Sequence, residues 1–538
     1  MIKFNRKHYL TSAAFALTLI VSCAEKSTNL PEKNLSPSSD PILEQSLPEL
    51  ADALSSEQIN SEQLVESYLR RIETQDHAGY KIQSILTINP DALEEAKLLD
   101  QLRENGKIMG PLHGVPVVLK DNIETKDNMP TTAGALALKD NFTGRDSPLA
   151  AGLREEGAII LGKTNLSQWA NFRSNNSMSG WSALGGQTRN PHYLDRNPCG
   201  SSSGSAAAMA AEMAAGAVGT ETNGSIICPS NVNGIVGFKP TVGLVSQQYI
   251  VPISSTQDTA GPMTRSVTGA AMMLAAMDNR DVDYVSALDA ESLDGTRIGV
   301  LRFAQGSNPD IIQRFDQAID DLEQIGAEIV EIADDAPDGE NLGSKSFDLL
   351  KYEFKATLND YLASTPDIVK VRSLSELIAY NEAHADVELA LFGQDILEAS
   401  DEKGPLTDEA YITARKDLLH GYQKGGLDRI LEDYEVDVLI SPSGPVAGRI
   451  DPINGDVWPA WAGAGRWAAI AGYPHLTVPM GQIDGMPIGL SFIGGKNMDA
   501  EILSYGYSYE QATQHYKRPE YRKSAESVDY LKDAMTRK

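Results

Sequence analysis

The segment from Asn197 to Pro229, NPCGSSSGSAAAMAAEMAAGAVGTETNGSIICP, holds five serines, five glycines and almost no bulk. A serine hydroxyl becomes a nucleophile when a neighbouring base takes its proton and backbone N–H groups receive the oxyanion that its attack creates. The Ala-rich run GSAAAMAAEMAAGA reads as a helix whose free N–H groups and positive dipole end point at CGSSSG. Asn223 and Gly224 suit a tight turn of unusual φ, so consecutive amides there can converge on one oxygen. No Walker-type Lys follows the glycines and no G-x-G-x-x-G occurs, so a nucleotide site has little support. None of the eight histidines has the context of a Ser-His-Asp triad. His113, His192 and His475 stand beside Gly or Pro and read as satisfied loop histidines.

The base is sought upstream, in GPLHGVPVVLKDNIETKD, where Lys120 closes an apolar strand. An unperturbed lysine is neutral in about one molecule in a thousand at neutral pH, a handicap of about 4 kcal/mol. Burial of the stem at a strand end removes most of it. The competing reading is a surface lysine where a strand meets solvent.

Short apolar runs alternate with amphipathic helices around these segments, which predicts an α/β protein with one large sheet. VPVVL and AIILG are buried-strand runs, and LREEG ends a helix at Gly157. RIGVL, a helix from Asp310 to Ile325, and AEIVEI form a β-α-β unit; VDVLISP, HLTVPM and IGLSFIGG continue the pattern. In INSEQLVESYLRRIE, Ser61 is the expected N-cap, and residues 346–432 read as mostly helical. No internal repeat or linker interrupts the chain after residue 48, which favours a single large domain.

The N-terminus carries an independent signal. Residues 1–23, MIKFNRKHYLTSAAFALTLIVSC, have a basic start, an apolar run too short to span a bilayer, and Cys23 at a lipobox-like end. A lipoprotein signal peptide with lipidation at Cys23 is expected, with Ala24 favouring the outer membrane facing the periplasm; the alternative is a soluble secreted or periplasmic protein. Residues 24–47 have the composition of a flexible tether, and 521–538 read as a C-terminal tail. Cys199 and Cys228 are expected as two buried free thiols, although export permits a bridge. The formal charge is −28, and loss of residues 1–23 would remove three basic side chains and no acidic one. A polyanion is repelled by such a surface, which excludes nucleic acid as a partner and leaves a lipid anchor as the membrane contact.

Taken together, residues 50–520 resemble the amidase signature family. The resemblance rests on residues 197–240, including GTETNGSIICPSNVNGIVGFKPTVGL, on HGVPVVLKDN, and on GKTN at 162–165. GSSSGSA, TETNGSIICP, VPISSTQDTAGPM and AGYPHLTVPMG are most similar to bacterial members that act on peptide amides. The resemblance implies one catalytic domain over 48–520, with a central mixed β-sheet flanked by helices on both faces. It also implies a Ser-cisSer-Lys triad: Ser225 as nucleophile, Ser201 as the bridging serine with its cis peptide, and Lys120 as base. The backbone N–H groups of Thr222, Asn223, Gly224 and Ser225 would form the oxyanion hole. No metal or organic cofactor is required. Ser202 and Ser203 would hold the loop.

The implied reaction is hydrolysis of a carboxamide C–N bond through an acyl-enzyme, on the C-terminal amide of peptides with release of ammonia. A general aryl or aliphatic amide hydrolase, served by a roomy site lined by WPAWAGAGRW, is the alternative. The glutamine-hydrolysing component of an amidotransferase and a non-catalytic binding lipoprotein are further rivals. Many members read G-T-D-x-G-G-S-I-R where this chain has Glu221, Asn223 and Ile227. Glu221 keeps the carboxylate, whereas Ile227 replaces an arginine that holds the acid group of small substrates.

Overall fold

The computed structural model describes residues 40–278, 280, 282–458 and 461–536. The expected leader, Cys23 and most of the tether lie outside the described residues. Thirteen strands occur among these: β1 (Ile85–Ile88), β2 (Pro116–Lys120), β3 (Ile159–Thr164), β4 (Trp181–Ser182), β5 (Gly186–Gln187), β6 (Gly216–Glu221), β7 (Val236–Lys239), β8 (Thr259–Thr264), β9 (Arg297–Leu301), β10 (Glu328–Ile332), β11 (Val438–Pro442), β12 (His475–Ile483) and β13 (Met486–Ile493). Eleven of them form one mixed sheet in the order β1-β3-β2-β6-β8-β7-β12-β13-β11-β9-β10, and β4 pairs with β5 apart from it.

Strand alternation divides the interior into two apolar layers. Val438 and Ile440 of β11 enter one cluster and Leu439 the other; Ile298 and Val300 of β9 part in the same way from Leu301. Helices Val267–Met277, Pro309–Ile325 and Asp499–Thr513 cover the first layer. The helical segment expected over 346–432 covers the second, with Leu342–Ala363 and Glu409–Tyr422 as its longest pieces. The expected β-α-β unit is present, β9 and β10 pairing in parallel across helix Pro309–Ile325.

The register at the parallel core matters most for the site. β2 runs parallel to β6, with Val117 opposite Gly216 and Leu119 opposite Val218. Lys120 and Thr220 therefore finish side by side at the carboxyl ends of adjacent strands, where open α/β sheets assemble their sites. All five residues of β2 and all six of β6 are buried, as expected of strands covered on both faces.

Local details differ from the sequence reading. The Ala-rich helix spans only Ser203–Ala210, because Glu212 turns the chain with φ 58°. The Glu212 carboxylate is held by Arg71 at 3.1 Å and Arg518 at 3.0 Å, which redirects the chain into β6. Asn60 rather than Ser61 caps helix Ser61–Arg71, its Oδ1 accepting the Gln63 N–H at 2.8 Å, while Asp100 takes the N–H groups of Ser61 and Glu62. Packing also extends past the expected limits of 48 and 520: Leu43 and Leu47 are in the core, as are Tyr521 and Ala525.

Candidate active site

Three lysines are wholly buried among the described residues, Lys120, Lys163 and Lys239. Lys163, of GKTN, is tied to Ile123 O and Thr131 Oγ1, and Lys239 to Pro240 O. Only Lys120 meets a serine. Its Nζ lies 2.7 Å from Ser201 Oγ, 2.8 Å from Thr220 Oγ1 and 3.2 Å from Thr220 O. Withdrawal from water pushes its pKa down to about 7, against weaker upward pulls from the charges of Asp258 and Glu221. The surface-lysine reading is thereby set aside.

Small side chains bring Ser201 to this amine. The helix that begins at Ser203 crosses the end of β3 so closely that a Cβ on Gly204 would stand 2.4 Å from Asn165 O and from Ser84 O. The Gly200–Ser201 peptide bond is cis. Ser202 Oγ bonds the backbone of Thr220 in both directions, at 3.1 and 3.2 Å, and its N–H donates to Ser225 O at 3.1 Å. Ser203 Oγ donates to Cys199 O at 2.5 Å. Both serines therefore hold the loop.

Beyond β6 the chain turns through Thr222, Asn223, Gly224 and Ser225, all four facing a cavity of about 250 Å³. Gly224 has φ 81°, a conformation that disfavours a side chain. Glu221 Oε2 accepts the N–H groups of Ile226 at 2.8 Å and Ile227 at 3.0 Å. Those two donors are committed to Glu221. Trp458, Trp461, Phe172, Ile253 and Leu350 supply the apolar wall, and Asn171, Ser179 and Asp456 the polar wall. Asp456 is the one charged side chain among the described lining residues, its oxygens accepting from Ser179 N at 2.9 Å and Asn197 Nδ2 at 2.7 Å. Trp467, the third tryptophan of WPAWAGAGRW, packs instead on Phe303 and Tyr422.

Two expectations change here. Cys199 and Cys228 are joined in a disulfide, not two thiols, their Cα atoms 5.9 Å apart. Packing of the Ser203 helix on helix Ile227–Asn233 brings the residues flanking both serine segments together, which a separation of 29 positions does not reveal. Ile227 is buried and lies outside the cavity wall, so it does not face substrate charge directly.

The three histidines are engaged in the interior. His113 is bonded to Leu99 O at 2.9 Å, His192 to Asn233 O at 3.0 Å and His475 to Ser491 Oγ at 2.6 Å. Burial holds His192 and His475 down to about 4 and about 3, as neutral rings. His475 opens β12 and is not a loop residue. Several wall residues escaped sequence reasoning. Ala170 and Asn171 of the wall, with Trp169 before them, take left-handed φ of 52°, 70° and 53°, a conformation that of these three residue types only Asn favours. Leu350 arrives from a distant helix without any local signal.

A mixed α/β sheet that gathers serine-bearing turns and a buried lysine at the ends of its parallel strands defines a class of hydrolytic enzyme. Residues 63–503 match the model of the Amidase family. The chain belongs to that family, the amidase signature enzymes, and hydrolyses amide C–N bonds. It is similar to a probable amidase of Arabidopsis thaliana, 33% identical over 510 residues that cover 89% of this chain and 92% of the relative. A glutamyl-tRNA(Gln) amidotransferase component of Moorella thermoacetica is 33% identical over 88% of this chain and 97% of the relative. The X-ray structure of native peptide amidase from Stenotrophomonas maltophilia is similar with a TM-score of 0.84 and 43% identity, covering 89% of this chain and 99% of that one.

The disulfide yields a direct expectation. Closing a loop of 29 residues stabilises by about 3 to 4 kcal/mol through the unfolded chain. Denaturant unfolding of native and reduced protein, or of a Cys199→Ala/Cys228→Ala variant, measures this; an unchanged midpoint refutes it.

Proposed function

We propose that this amidase removes the C-terminal carboxamide of peptides, releasing ammonia, with Ser225 as nucleophile, Ser201 as proton relay and Lys120 as base. The observation that carries this reading is the buried Lys120 amine 2.7 Å from Ser201 Oγ, beside the turn that holds Ser225 at the cavity. A neutral amine has two N–H donors and one lone pair. With its N–H groups on the two oxygens of Thr220, the lone pair faces the Ser201 hydroxyl. Lys120 then takes the proton of Ser201, Ser201 takes that of Ser225, and Ser225 attacks the amide carbon. The backbone N–H groups of Thr222, Asn223, Gly224 and Ser225 receive the oxyanion. The relay run backwards protonates the departing ammonia, and water, deprotonated by the same relay, releases the acid from the acyl-enzyme.

The cavity supports a neutral substrate end. No Lys, Arg or His occurs among its described lining residues, and Asp456 adds a negative charge, so a free carboxylate entering it would lose hydration without a counter-charge. This argues against glutamine-like and malonamate-like substrates. The apolar wall of Trp458, Trp461 and Phe172 favours a second reading, hydrolysis of aryl or alkyl amides without recognition of a peptide backbone.

We also propose export, with lipidation at Cys23. The Cys199–Cys228 disulfide supports this reading, since such bonds persist in oxidising compartments.

Ser225→Ala is expected to abolish turnover and fluorophosphonate labelling, and Lys120→Ala or Ser201→Ala to lower kcat by about a thousandfold or more. Wild-type turnover by Ser225→Ala would sink the assignment. Since the base must be neutral, activity should rise with pH through about 7 and persist into alkaline solution. Steady decline above neutrality contradicts a lysine base. In an ammonia-release assay a blocked dipeptide amide should outpace glutamine, asparagine and malonamate while the free peptide acid stays intact; preference for benzamide over every peptide amide selects the second reading. A palmitate analogue should label wild type but not Cys23→Ala, and unlabelled, wholly soluble wild type would refute the anchor.

A further inference from the structure

The segment VPISSTQD, Val251–Asp258, borders the site, yet the catalytic reading leaves its acid without a task. Asp258 stands between two stretches of the cavity wall. Its Oδ1 accepts from Thr222 Oγ1 at 2.5 Å, and its Oδ2 accepts the N–H groups of Ile253 and Ser254, each at 2.8 Å. Gln257 Nε2 adds a hydrogen bond of 3.2 Å to Thr222 O. Thr222 opens the turn that carries Asn223, Gly224 and Ser225, and Ile253 lines the same cavity.

The segment is anchored on its other side as well. Glu353, buried on helix Leu342–Ala363, accepts from Thr256 Oγ1 at 3.0 Å, from Tyr411 Oη at 2.8 Å and from Ser254 Oγ. Asp258 thus connects the first residue of the turn to a strap fastened to the helical layer. Three donors converge on one carboxylate, and an amide in its place could not accept all three.

We propose that Asp258 is a positioning residue for amide hydrolysis, holding Thr222 and the Ile253–Ser254 backbone so that the turn 222–225 keeps one geometry against the substrate carbonyl. This rests on the assignment of Ser225 and its turn made above. Backbone donors act on a developing oxyanion only from fixed positions, and small displacements of a reacting group lower rates severalfold to a hundredfold. Asp258 has a second effect through space: with Glu221 on β6, it supplies the negative charge that favours the ammonium form of Lys120.

The test measures kcat and KM for ammonia release from a blocked dipeptide amide across pH for Asp258→Asn, Thr222→Val and the double variant, with circular dichroism to check folding. Asp258→Asn should lower kcat by about tenfold to a hundredfold with KM little changed. Its acid limb should move to lower pH, because loss of a nearby negative charge makes Lys120 release its proton more readily. Thr222→Val should lower kcat and move the acid limb in the same direction but less than Asp258→Asn does, because Asp258 loses one hydrogen-bond donor yet keeps its carboxyl group, and the double variant should fall short of the product of the two losses. Wild-type kcat with an unmoved acid limb in folded Asp258→Asn, or fully multiplicative losses, would overturn the proposal. If Asp258→Asn does not fold, Thr222→Val decides alone: a lowered kcat supports the tether and wild-type kcat overturns it. Failure of wild-type Ser225 to react with fluorophosphonate, with turnover surviving Ser225→Ala, would instead remove the nucleophile assignment, so the two failures are distinguishable.

Discussion

Everything at this site follows from taking one primary amine out of water. The Lys120 ammonium would lose its hydration at the end of β2 and find only neutral oxygens of Ser201 and Thr220 within hydrogen-bond reach, so the proton is held loosely. Asp258 and Glu221 oppose that effect from further away, and the pKa stands at about 7. A carboxylate in contact with Nζ would have produced an ion pair and a lysine unable to accept a proton. The polar partners around the amine, all uncharged, are therefore as much part of its chemistry as its burial.

That environment depends on strand order. β2 and β6 must lie side by side and parallel for Lys120 and Thr220 to end together, and the serine loop must then descend onto both. The descent is possible because the helix from Ser203 presents Gly, Ser and Ala to β3, and a methyl at Gly204 would already collide with two carbonyl oxygens. Poverty of side chain, which in isolation resembles a flexible connector, is what permits close approach of backbone to backbone.

Much of this was legible in the sequence because it is written in local patterns. The unbroken apolar run before Lys120 marks a covered strand, and the Asn223-Gly224 turn marks positive φ. Long-range pairings were not legible. The disulfide joins residues whose side chains meet only after two helices pack. Glu212 ends the Ala-rich helix because Arg71 and Arg518 converge on it from opposite ends of the chain, against a local composition that favours continuation. Asn60 displaced Ser61 as a cap because Asp100, a distant acid, satisfied the N–H groups beside it. Asp258 sits in a segment with a recognisable pattern, but its role depends on a donor from the turn after β6, which folding alone brings to it.

The Cys199–Cys228 bond closes a ring of backbone that contains Ser201, the Ser203–Ala210 helix, β6 and Ser225. Both serines of the site thus belong to one covalent macrocycle. A protease that severs a single peptide bond inside that ring leaves the two new ends on one molecule, so no such cut can release either serine from the other. The bridge thus makes the stretch of chain that carries both serines one that a single nick does not disconnect.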